Sequence, residues 1–168
     1  MALKAAKNEK KHTISVLVEN QFGVLARVSG MFSARGFNII SLCVGETEDA
    51  SVSRMTVVVR GDDNVLAQLT QQLKKLVEVI DIVDLTSESF VERELVLLRV
   101  AAKPVERRDV IEVANIFRSK TVDVGANSMI FEVTGAEGKV AAFIDTMRPF
   151  GIQELVRTGE IAISRSVK

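Results

Sequence analysis

The chain has 168 residues, with 22 Lys and Arg against 22 Asp and Glu, so its formal net charge is zero. Apolar residues make up 47% and charged residues 26%, which is ordinary for a globular chain, and this balance excludes a strongly cationic nucleic-acid binder, because phosphate binding needs surplus Lys and Arg. No apolar run approaches the roughly 18–20 residues of a membrane helix, and the single Cys43 cannot form an internal disulfide, in keeping with a reducing compartment.

Residues 1–12 carry four Lys and one Glu. They lack the apolar stretch of a secretory signal, so the sequence predicts a disordered basic arm and a cytoplasmic protein. Residues 13–19 (TISVLVE) alternate, with Ile14, Val16 and Val18 on one face of a strand. A polar turn, NQFGVL, leads into a helix whose apolar residues recur at 24, 25, 28, 31 and 32. Gly36 follows it, where a left-handed residue commonly ends a helix. Residues 37–46 and 53–60 read as two strands joined by an acidic turn. Asp62 and Asp63 supply caps for a second helix with the stripe Leu66, Leu69, Leu73 and Leu76. Residues 79–86 (VIDIVDLT) close the unit with a strand. The order is β-α-β-β-α-β.

The order then repeats. A strand at 93–102 precedes Pro104 and a helix carrying Val110, Val113, Ala114 and Phe117. Strands at 121–126 and 128–134 follow, then a helix marked by Val140, Phe143, Ile144 and Met147 and stopped by Pro149 and Gly151. Short β segments at 152–157 and 160–164 end the chain. The linker falls near Ser87–Glu92. Two α+β units result, each with βαββαβ order: an antiparallel sheet with helices on one face. The domains are a first unit at 13–87 and a second at 88–168. Eight Phe, with no Trp or Tyr, sit mostly in periodic apolar stretches and read as core rather than as base-stacking platforms. The apolar runs Met55–Val59 and Leu95–Val100 predict strands covered on both faces. Small domains of this size bury limited surface, so a homodimer is expected.

The first β-α turn holds the most informative residues. Strand one delivers the chain through Glu19 and Asn20 to Gly23, and a helix starts at about Val24. A helix N-terminus offers unpaired N–H groups and partial positive charge, and a glycine there lets an anion approach the backbone. A small carboxylate suits this place. The alternative is an ordinary turn with Asn20 as a local hydrogen bonder. Asn38 opens an apolar strand, where Asn is disfavoured. It is either an edge residue satisfied by backbone or a side-chain oxygen facing an ammonium. Together Asn20, Gly23 and Asn38 form a candidate zwitterion clamp. Weaker candidates read as structural: His12 in the arm, Cys43 as a packed small hydrophobe, Glu46, Glu48 and Asp49 as a solvated acidic loop. There is no phosphate-loop or dinucleotide fingerprint, no His and Cys pairing for a metal, and no nucleophile with a base beside it.

The stretch TISVLVENQFGVLARVSGMFSARGFNIISLCVGETED (13–49), with SRMTVVVRGDD (53–63), QLKKLVEVIDIVDLT (72–86), VEREL (91–95), NIFR (115–118) and VDV (122–124), closely resembles the small regulatory subunit of acetolactate synthase, also called acetohydroxyacid synthase. The resemblance covers nearly the whole chain beyond the arm. It implies an N-terminal ACT domain, an amino-acid-sensing module, followed by a ferredoxin-like α/β-sandwich domain. It implies a homodimer through the ACT domains, with valine bound between subunits. Asn20 and Gly23 map to the β-α turn, and Asn38 to the second strand of the opposite chain. Backbone groups near Val24, Leu25, Ile39 and Ile40 complete that pocket. The resemblance assigns the chemistry, with thiamine diphosphate, magnesium and FAD, to a separate catalytic large subunit. This chain would then hold no cofactor or metal and no catalytic residue. It would raise that partner's activity and transmit feedback inhibition by valine in branched-chain amino acid biosynthesis. The alternative is a stand-alone amino-acid sensor with another output.

Overall fold

The computed structural model describes residues 10–166. The first unit contains β1 (Lys10–Glu19), α1 (Val24–Ala34), β2 (Asn38–Glu46), β3 (Val52–Gly61), α2 (Asp63–Leu73) and β4 (Val79–Asp84). Its sheet has the order β2-β3-β1-β4, antiparallel throughout. Strand alternation sends Ile14, Val16 and Val18 of β1 and Met55, Val57 and Val59 of β3 to one face. There they bury against Val28 and Phe32 of α1 and Leu69 and Leu73 of α2. The Asp62 carboxylate accepts from the Val65 N–H at 2.9 Å, which fixes the start of α2. The strand predicted over 79–86 stops at Asp84, whose carboxylate accepts the Thr86 N–H at 3.0 Å and turns the chain into a short 3-10 segment.

The second unit contains β5 (Phe90–Ala101), α3 (Arg107–Ile116), β6 (Lys120–Val124), β7 (Ser128–Gly135), α4 (Glu137–Met147) and β8 (Ile152–Arg157). Its strands run β6-β7-β5-β8, and a last short strand, β9 (Ile161–Ser164), pairs with β5. Val96, Leu98 and Val100 pack with Phe131, Phe143 and Met147. Phe117 meets Phe143 edge to face, with ring centroids 5.4 Å apart, a favoured aromatic geometry. The fold is therefore α+β, in two ferredoxin-like units.

Three sequence readings need adjustment. The arm assigned to 1–12 reaches too far, because Lys10, Lys11 and His12 belong to β1; residues 1–9 lie outside the described residues. His12 is 1% exposed and its Nε2 lies 3.2 Å from the Gly61 carbonyl oxygen. Strand alternation places it on the same face as Ile14, a pattern that the lysines around it hide. The structure divides the chain at Val91/Glu92, and from Ala162 onward the chain returns to the first unit. Ala162 is buried there and its N–H approaches the Thr56 hydroxyl at 3.4 Å. Finally, Met55–Val59 is buried along its whole length, whereas Leu97 in β5 is exposed. Only the first of the two apolar runs is covered on both faces within the chain.

Candidate functional site

The turn between β1 and α1 is built around Gly23. Its φ of 86° and ψ of −8° place it in the left-handed region, which favours glycine. A Cβ there would meet nothing within 4 Å, so the space outside the turn is open. Gly23 is also the N-cap of α1, and no side chain caps this helix. Among the described residues, the N–H groups of Leu25 and Ala26 meet no protein acceptor, and the first turn carries no acidic residue. The contrast with α2, capped by Asp62, is direct. Val24 is buried beneath the turn, while Leu25 is exposed beside it.

Asn20 holds the turn to the β2–β3 hairpin. Its N–H donates to the Ser51 carbonyl at 2.7 Å. Its side-chain amide donates to the Ala50 carbonyl at 2.9 Å and to the Glu46 carboxylate at 3.1 Å. The amide donors of Asn20 are thus spent on protein groups, and these bonds help to place Gly23. The hairpin is itself pinned: Ser51 donates its hydroxyl and N–H to Asp49, which holds the Asp49 carboxyl below the ordinary value of 3.8. On the other flank, Arg27 of α1 pairs with Glu78, and the Glu19 N–H donates to the Glu78 carbonyl at 2.9 Å. The sequence reading missed the contacts of Asn20, Arg27 and Glu19, because their partners lie 26 to 59 residues apart.

Asn38 lies elsewhere in the chain. It begins β2 opposite Arg60, at the end of the sheet where β1 starts; Asn20 follows the end of β1, at the level of Glu46 and Val52. The eight residue steps along β2 correspond to about 26 Å. One chain therefore does not bring Asn38 to Gly23. Ile39 packs against the first core, while Ile40 sits at a break in the β2–β3 register and is exposed. β2 is an edge strand in the order of the first sheet.

Cys43 is a free thiol on β2, half-buried. Among the described residues no three His, Cys, Asp or Glu side chains gather as a metal site, and no helix is long and apolar enough to cross a membrane.

Residues 14–81 match the family of ACT domains like those of acetohydroxyacid synthase small subunits, and residues 93–166 match the small subunit of acetolactate synthase. A probable acetolactate synthase small subunit from Archaeoglobus fulgidus is 58% identical over 94% of this chain and 99% of its own length. The chain belongs to the acetolactate synthase small-subunit family. The small subunit of Mycolicibacterium smegmatis is 49% identical over 92% of this chain and 91% of its own. The crystal structure of the Thermotoga maritima small subunit superposes with a TM-score of 0.86, at 38% identity, over 95% of this chain and 99% of that one. The match across both units places β1, Gly23 and β2 inside the ACT domain of this family.

Proposed function

We propose that this chain is the regulatory subunit of an acetolactate synthase, that it activates a catalytic large subunit, and that it carries feedback inhibition by valine. One observation carries the reading most: the uncapped N-terminus of α1 behind a left-handed glycine, next to an edge strand whose far end bears Asn38.

Antiparallel pairing of β2 with the β2 of a second copy reverses the strand. It brings Asn38 of the second copy to the level of Glu46, the end of the sheet that holds Gly23. The valine carboxylate then lies on the open amides of α1, where the helix dipole favours negative charge. The ammonium lies on the side-chain oxygen of Asn38 from the second copy. Val24, Leu25, Ile39 and Ile40 enclose the small branched side chain and offer backbone groups. Asn20 keeps the turn in place through the hairpin. The seam gives each dimer two such sites.

Valine that bridges two copies favours one dimer geometry. It changes activity only if that geometry contacts the catalytic subunit differently. A coupling of about 1–3 kcal/mol is enough for useful regulation. A ligand with micromolar to millimolar affinity supplies roughly 4–8 kcal/mol of binding free energy. In this reading the chain carries no cofactor; thiamine diphosphate, magnesium and FAD act in the catalytic subunit. Titration of the chain into its catalytic subunit, with and without valine, tests the reading. Acetolactate formation should rise with added chain and fall again when valine is present. A flat titration in both conditions contradicts it.

A further inference from the structure

The apolar run of β5 leaves Leu97 exposed although its neighbours Val96 and Leu98 are fully buried. Val96, Leu98 and Val100 pack with the helices of the second unit, and alternation sends Leu97 and Arg99 to the other side of the sheet. The ladder partners continue that side. Leu97 stands opposite Val156 of β8, and Arg99 stands between Ile130 of β7 and Glu154 of β8. These five residues line a hollow of about 140 Å³. An open face of an antiparallel sheet is ordinarily polar, yet three of the five lining side chains are aliphatic. Beside them the Arg99 Nη1 lies 2.9 Å from the Glu154 carboxylate.

The hollow is smaller than the roughly 300–1,000 Å³ of pockets for drug-sized ligands, so it suits a small metabolite rather than a nucleotide or a peptide. Its charges narrow the class. An anion alone meets the Glu154 carboxylate, and a cation alone meets the Arg99 guanidinium. A molecule with both signs on neighbouring groups satisfies both. We propose that the hollow binds an aliphatic α-amino acid, at a site distinct from the β1–α1 turn. The guanidinium donates two parallel N–H groups to the carboxylate, and the Glu154 carboxylate accepts from the ammonium. The aliphatic side chain lies on Leu97, Ile130 and Val156. The Arg99–Glu154 pair opens to admit the ligand. This costs little, because the two side chains are 43% and 54% exposed and exposed pairs add little stability. Every residue used lies in the second unit, so the proposal depends neither on valine at the first unit nor on a second copy. It gives the chain a second amino-acid input.

Methyl-resolved NMR of the full chain, titrated with leucine and with valine, reads both places at once. The methyls of Leu97, Ile130 and Val156 should shift along saturable curves. In a double variant, Arg99→Gln with Glu154→Gln, half-saturation at these methyls should move up at least ~tenfold, as expected for lost hydrogen bonds to charged groups. The buried methyls of Val96 and Leu98 check that the variant folds. The branched acid without the amine, and the amine without the acid, should each bind at least ~tenfold more weakly than the amino acid. The Leu25 methyls report the first-unit site in the same spectra. If Leu25 shifts and the three methyls stay still, the proposal is overturned and the valine reading survives. If the three shift and Leu25 does not, the valine reading falls and this site stands. Equal shifts from the acid, the amine and the amino acid overturn the proposal, since the hollow is then only an apolar patch. Shifts seen only after the catalytic subunit is added overturn it too, since a protein then covers the face.

Discussion

At Gly23 the backbone is left-handed and the space beyond it is open. On the proposed reading Gly23→Asp acts mainly through charge, because its carboxylate occupies the place proposed for the valine carboxylate. Strain at the positive φ adds about 1 kcal/mol of instability. Valine affinity measured by calorimetry should fall at least ~tenfold, about 1.4 kcal/mol, while activation of the catalytic subunit survives. Asn38→Ala removes the proposed ammonium acceptor and should also weaken valine at least ~tenfold, a loss within the range of a hydrogen bond to a charged group. Unchanged valine binding in either variant removes that residue from the site. The left-handed backbone at Gly23 was legible in the sequence, because a glycine before a helix is out of place without a reason. The task of Asn20 was not. Its partners Glu46 and Ala50 are brought to it only by the β2–β3 hairpin, and no local pattern announces that contact.

Among the elements, those with a period were readable and those set by a single contact were not. Alternation in β1 and the leucine stripe of α2 have one solution each, and the structure adopts it. The start of β1 was hidden because Lys10 and Lys11 flank the buried His12 with charge. The end of β4 was hidden because one carboxylate, Asp84, turns the chain. The cap of α2 was legible, since Asp before a helix has a known mechanism. Asp62→Ala should cost about 0.5–2 kcal/mol of stability, read as a lower denaturant midpoint. It leaves the α1 turn untouched, so valine affinity should not change. A parallel loss of affinity would mean that the effector site extends to α2.

For the whole molecule, the repeat was legible and the path of its last strand was not. The two βαββαβ units follow from element order alone. After Ile161 the chain returns to the first unit, where Ala162 meets Thr56, a contact between residues 106 apart. Register makes the larger point: Gly23 and Asn38 lie at opposite ends of one sheet, so a site that uses both requires two chains. Mixing two defective variants tests this most directly. Each homodimer, Gly23→Asp or Asn38→Ala, has two damaged sites. In the mixed dimer one site receives Gly23 from the second variant and Asn38 from the first, and is intact. Re-equilibrated at equal amounts, half the dimers are mixed, so valine stoichiometry by calorimetry should recover to about a quarter of wild type. No recovery on mixing, with both variants dimeric and exchanging subunits, would contradict an effector site shared across the seam.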